Sequence, residues 1–179
     1  MNINEVFSTQ QRLTILKNII FRDEWFGITQ ISKYSNISKG LVSKYLNLLV
    51  EENILEKNNS LFRVKGSLNT KALKILLNLT SINTDLFKDK PIIRSAGIYG
   101  STVKGTNTED SDVDLWIVHE PTSTVELSKI TKELTGHHKI KPLYLTVEKI
   151  EELKTKDPVF YYNLLFSSIT LYGEGLDVL

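Results

Sequence analysis

Residues 96–120 read AGIYGSTVKGTNTEDSDVDLWIVHE. An apolar run closes on Gly100 and Ser101, a polar loop follows, and Asp112 and Asp114 stand at the mouth of a second apolar run. Both runs read as strands. Gly100 has no Cβ, so the backbone can turn sharply there and let a triphosphate come close. Ser101 adds a hydroxyl donor, and if STVKG opens a short helix its first amides point toward the same place, which favours an anion. Lys104 can neutralise phosphate charge. On an extended chain, residues two apart share a face, so the carboxylates of Asp112 and Asp114 reach one ion while Val113 and Leu115 turn to the core. Hard oxygen ligands suit Mg²⁺, or Mn²⁺ in its place, with water and substrate phosphates completing the shell. Either half alone would pass for an ordinary turn or a solvated acidic loop. Together, in this order, they are the equipment for metal-assisted attack on a nucleotide phosphate.

The pattern around this motif is α/β. Pro91 precedes the strand IIRSAGIYG, and VDLWIVHE forms the next strand. STVELSKITKELTG predicts a helix ended by Gly136, and KIKPLYLTV a third strand. Thr146 caps VEKIEELKTK, and DPVFYYNLLFSS gives a last helix before ITLYG. Upstream, GSLNTKALKILLNLTSIN predicts a connecting helix with Leu73, Leu76, Leu77 and Ile82 on its apolar side.

The N-terminal third reads differently. Ser8 followed by Gln11 is a capping-box pattern opening a helix near 9–21. FGIT predicts a short strand, Thr29 a cap for QISKYS, and Ser38 a cap for KGLVSKYLNLLVEENI after a tight turn. Two short helices joined by three residues outline a helix-turn-helix, and the alternation on both sides of NNS adds a two-stranded hairpin as a wing. In the third helix Leu41, Val42, Tyr45, Leu46 and Leu49 form the buried side. Ser38, Lys39, Ser43, Lys44 and Asn47 remain outside, a face with donors and no acids. Such residues bond phosphates and base edges in a major groove, and Asn58, Asn59, Arg63 and Lys65 in the hairpin are placed to grip the flanking backbone. This region resembles the winged helix-turn-helix of bacterial and archaeal regulators. The bland alternative is a small helical packing or dimerisation module.

The 179 residues, 41% of them hydrophobic, suit two small domains. With no cysteine there is no disulfide, thiolate metal site or cysteine nucleophile. No run reaches the roughly 18 apolar residues of a membrane helix, and the start lacks a signal peptide's regions, so a cytoplasmic protein without membrane contact is expected. The net charge of +1 divides unevenly. Residues 1–66 hold 9 Lys and Arg against 6 Asp and Glu, and residues 67–179 hold 13 against 15, which points to different partners for the two halves. So few cations give one copy modest, salt-sensitive DNA affinity, which makes a homodimer on two half-sites the natural assembly.

The residues GS, ten intervening positions and DVD resemble the signature of the DNA polymerase β superfamily of nucleotidyltransferases, in its minimal branch, over roughly residues 90–175. Lys104 stands where an arginine is common. The resemblance implies transfer of a nucleoside monophosphate from a nucleoside triphosphate such as ATP, with Gly100 and Ser101 at the phosphates and Asp112 and Asp114 on Mg²⁺. It also implies acceptors of the kind minimal members use: a partner protein such as a cognate toxin, or a small molecule. One departure stands out. The family carries a third carboxylate on the next strand, and KIKPLYLTV has no acid. Leu143 and Tyr144 are the positions at which one could be restored, the alternation leaving open which faces the site. Glu148 and Glu151 follow on a helix with no geometric reason to join, and His137 and His138 read as a surface loop.

The expectation is thus an α+β protein: a winged helix-turn-helix for double-stranded DNA over 1–66, a connecting helix and linker over 67–89, and a nucleotidyltransferase α/β domain with a small mixed sheet over 90–179. The runner-up is a DNA-binding transcription regulator whose degenerate second domain senses a nucleotide or dimerises.

Overall fold

The computed structural model describes residues 1–122, 124–134 and 139–179. It is α+β, with two small sheets and two compact units: Met1–Leu77 with Gly105–Asp110, and Asn78–Lys104 with Ser111–Leu179.

The first unit runs α1 (Ile3–Val6), α2 (Gln10–Ile19), β1 (Phe26–Gly27), α3 (Ile28–Ser35), α4 (Lys39–Glu51), β2 (Leu55–Asn58), β3 (Leu61–Val64) and the opening turns of α5 (Leu68–Ser81). Thr9, not Ser8, caps α2, its hydroxyl accepting from Arg12 N at 3.2 Å. Ser8 instead donates back to Glu5 O, closing the single turn of α1 that the sequence pattern did not reveal. The FGIT strand is only Phe26 and Gly27. Gly27 is the N-cap of α3, so Thr29 lies inside that helix rather than capping it. Asn36, in the left-handed region at φ 55°, ends α3, and Ser38 caps α4 as expected, accepting from Leu41 N.

Val42, Tyr45, Leu46 and Leu49 of α4 are fully buried against Ile15, Leu16, Ile19 and Ile31. Leu41 is only half-buried. Tyr45 donates its hydroxyl to Val6 O at 2.9 Å, so the largest fully buried side chain of this unit keeps a polar partner. β3 pairs antiparallel with β2 on one edge and β1 on the other, setting Phe26 opposite Phe62. From α5, Leu73 and Leu77 join this core, whereas Leu76 is 46% exposed and belongs to the other face of the helix. The loop Gly105–Asp110 is tied into the same unit: Lys74 Nζ donates to Asn107 O at 2.6 Å, and Glu109 N to Phe21 O at 2.9 Å. Burial lowers the Lys74 pKa, partly offset by Asp23.

The second unit takes the last turn of α5, then α6 (Asp85–Lys88), β4 (Ile93–Ile98), α7 (Ser101–Lys104), β5 (Val113–His119), α8 (Thr124–Leu134), β6 (Ile140–Leu145), α9 (Val147–Lys156), α10 (Pro158–Phe166) and β7 (Ile169–Tyr172). Gly136, His137 and His138 lie outside the described residues. Thr146 caps α9 and Asp157 caps α10, with Pro158 at its first turn, where a missing N–H costs nothing. The sheet order is β6-β5-β4-β7. β4 runs antiparallel to both β5 and β7, and β5 is parallel to β6 across the α8 crossover. Pro142 is tolerated because β6 is an edge strand.

Alternation along β5 divides this core in two. Val113, Leu115 and Ile117 face Leu127, Ile130 and Leu134 of α8, while Trp116 and Val118 face Leu145, Ile150 of α9, and Tyr161 and Leu164 of α10. Gly97 sits opposite Trp116, and a Cβ there would overlap the indole and lie 2.6 Å from Ile169 O. Gly97→Ala is therefore expected to destabilise the sheet by about 1–3 kcal/mol, as overpacking does, seen as a lower urea midpoint at unchanged slope. No helix among the described residues is long and apolar enough to cross a membrane.

Candidate active site

β4 delivers the chain to the turn. Tyr99 N donates to Asp114 O at 3.0 Å, locking the end of β4 to the start of β5, and Gly100 then turns the backbone at φ 71°. The turn lies directly on Asp114: a Cβ at Gly100 would overlap Asp114 Oδ2. The glycine and the second aspartate, fourteen positions apart in sequence, are thus in contact. Ser101 begins α7 and is half-buried, and Lys104 ends it, exposed. Beneath α7, Asn78 Nδ2 from the last turn of α5 donates to Thr102 O at 2.8 Å. The Thr102 hydroxyl, fully buried, has no partner among the described residues.

Asp112 is exposed immediately before β5, and Asp114 is half-buried within it. Burial raises the Asp114 pKa, Lys141 opposes that rise, and the neighbouring Asp112 charge adds to it. Burial, with the Asp114 charge beside it, also raises the pKa of Tyr99. The like-charge pairing at Asp112 and Asp114 is what a bound cation would relieve. The donor set, two neighbouring carboxylates of which one is exposed, fits one Mg²⁺ that takes its other ligands from water and phosphate oxygens. Among the described residues no group of three His, Cys, Asp or Glu side chains comes together as a metal cluster.

Glu151 pairs with Lys154 at 2.6 Å, and Glu148 bonds with Thr146 at the start of α9, so both are engaged within their own helix. The two positions considered for a restored acid separate cleanly. Tyr144 packs with the α8-side core, whereas Leu143 lies on the Asp114 face, registered with Trp116 and partly buried there. The β6 residue directly opposite Asp114 is neither of these but Lys141. The sequence reading missed Lys141 because the register of a parallel pair is not written in either strand. Tyr99 and Asn78 were missed as well, although a lone Asn in the apolar run LLNLT hinted at a buried bond.

In the first unit, Lys39, Ser38 and Lys44 are exposed on α4, and Ser43 is half-buried. Asn47 is occupied, donating to Ser43 O and accepting from Lys57. Asn58 and Asn59 are exposed at the hairpin tip, Asn59 at φ 53°. Arg63 pairs with Glu56 at 3.1 Å over the Trp25 ring, and Lys65 bonds Asn53 at 2.6 Å. Lys39 and Lys44 are held by no acid among the described residues, which leaves them as the open cations of this face.

Residues 80–168 match the model of the nucleotidyltransferase domain family. The matched span runs from the last two residues of α5 to just past the end of α10 and holds Gly100, Ser101, Asp112, Asp114 and Lys141. No curated protein matches the chain.

Proposed function

We propose that this chain, which matches the nucleotidyltransferase domain family over residues 80–168, transfers a nucleoside monophosphate from a nucleoside triphosphate, ATP by preference, to the hydroxyl of an acceptor such as a partner protein. The observation that carries the reading is the seating of the Gly100 turn on the Asp114 carboxylate, which joins an anion-admitting turn to a carboxylate pair. In the transfer the acceptor oxygen bonds to the α-phosphorus, and the bond from that phosphorus to the bridging oxygen breaks. Pyrophosphate leaves with the electron pair, and the hydroxyl proton passes to solvent. Mg²⁺ held by Asp112 and Asp114 would supply charge neutralisation at the phosphates. Gly100 and Ser101 orient the triphosphate, and Lys104 adds positive charge at its edge. Positioning and charge are most of what phosphoryl chemistry asks of a protein. Incubation with Mg²⁺ and labelled nucleoside triphosphates, alone and with the product of the adjacent gene, tests this. Label on protein supports it. Nucleotide binding without label under any acceptor favours a nucleotide-sensing regulator, a reading supported by the two-acid site.

The first unit has the makings of a winged helix-turn-helix that targets the enzyme to DNA or regulates its own expression. Support comes from α3 and α4 meeting at the Asn36 turn, from the hairpin behind them, and from an α4 face that presents Ser38, Lys39, Ser43 and Lys44. With Arg63 and Lys65 already engaged, DNA affinity rests mainly on Lys39 and Lys44, and a homodimer would double the contact. The double substitution Lys39→Ala/Lys44→Ala should weaken binding to the protein's own upstream DNA by about tenfold and flatten its salt dependence by about two phosphate contacts. Mobility shifts at several salt concentrations measure both. An unchanged salt slope would leave this unit a packing or dimerisation module.

A further inference from the structure

Lys141 stands where the sheet would put a residue that works with Asp114. The two are registered partners in the parallel β5–β6 ladder. Paired residues of neighbouring strands are about 4.8 Å apart and project from the same face. That face is fixed independently: Trp116 and Val118 of β5, and Leu143 and Leu145 of β6, all pack in one cluster with α9 and α10. Alternation then sets Asp114 and Lys141 on it together, one step nearer the open end of the strands, where both leave the core. Lys141 is exposed and makes no salt bridge among the described residues, so its four-carbon stem is free to aim the ammonium over the carboxylate pair.

A triphosphate placed on the Gly100 turn meets two carboxylates, and one divalent ion leaves that assembly strongly negative. Among the described residues, the cations of this unit near the site by position include Lys104 on α7, Lys141 on β6 and, just before β6, Lys139, whose carbonyl accepts from Val113 N.

We infer that Lys141 is a nucleotide-contacting residue, its ammonium supplying at the triphosphate the positive charge that a third acid and its metal ion would otherwise bring. The inference rests on the nucleotide reading of Gly100, Asp112 and Asp114. It makes triphosphate binding only partly dependent on metal, because the Lys141 ammonium is covalently part of the chain.

The test is fluorescence anisotropy of a labelled ATP analogue titrated with the full chain, in Mg²⁺ and in EDTA. Lys141→Ala should weaken binding about tenfold in EDTA and less in Mg²⁺, where the ion screens the same phosphates. Lys141→Arg should retain most of the affinity in both. Lys141→Asp should lose binding in EDTA and, without nucleotide, bind Mn²⁺ more tightly by electron paramagnetic resonance. Equal affinity of Lys141→Ala and the parent in EDTA overturns the inference. So does an arginine variant as weak as the alanine one, or a Lys141→Asp protein with unchanged Mn²⁺ affinity. If the parent binds no nucleotide in either buffer, the nucleotide reading fails as well. Lys141 is exposed, so retained thermal unfolding accompanies each expected result.

Discussion

Asp114→Asn should reduce nucleotidyl transfer by a hundredfold or more, and Asp112→Asn nearly as much, with both proteins still folded. The size follows from what a ligated cation contributes to phosphoryl transfer, several kcal/mol of charge stabilisation, where each 1.4 kcal/mol is about tenfold. Asparagine is nearly isosteric, so the contact with Gly100 and the backbone bond from Tyr99 persist. Removing one of two neighbouring negative charges also relieves the repulsion that helps raise the Asp114 pKa, so thermal stability should hold or rise slightly. Label transfer, with calorimetry of Mg²⁺ and ATP, reads the effect. A double mutant that binds Mg²⁺ and ATP like the parent would remove the carboxylate pair from the site.

Gly100→Ala is expected to cost transfer at least tenfold while lowering stability by only about 1–2 kcal/mol. Alanine at φ 71° is strained by roughly that amount. The new methyl would also overlap Asp114 Oδ2. A carboxylate is the mobile end of its side chain, so it swings aside rather than forcing the strands apart. The fold therefore survives and the ligand geometry does not, and displacement of a reacting group by about 1 Å can cost on the order of a hundredfold. A urea midpoint near that of the parent, beside strongly reduced Mg²⁺-dependent nucleotide affinity, is the signature. Unimpaired nucleotide binding would show that the turn is structural only.

The motif was legible because each part depends on chain-local physics. Gly100 is the residue that enters the left-handed region freely, and a two-residue spacing puts Asp112 and Asp114 on one side of an extended chain. The caps at Ser38 and Thr146 were legible for the same reason, since a side-chain oxygen three residues before an amide is a local geometry. Where two hydroxyls compete, as at Ser8 and Thr9, or a glycine serves as cap, as at Gly27, tertiary packing decides. Leu76 shows the same limit: it fits a 3.6-residue stripe with Leu73 and Leu77, yet the packed face runs through Thr70, Leu73, Lys74, Leu77 and Asn78 and leaves Leu76 exposed. Lys141 was illegible for a stronger reason. Its meaning lies wholly in its register with another strand, which is set by the α8 crossover and the cores on both faces.

The loop from Gly105 to Asp110 has a consequence for modularity. It hangs by sequence between the turn and the aspartates of the second unit, yet its carbonyl and amide partners, Lys74 and Phe21, belong to the first. The polypeptide therefore passes from one unit to the other three times, and no single cut divides it into the two compact units. A recombination event that exchanged residues 1–77 for a different N-terminal module would leave the six residues of this loop without their anchors. Such an exchange would have to bring compensating changes between Gly105 and Asp110.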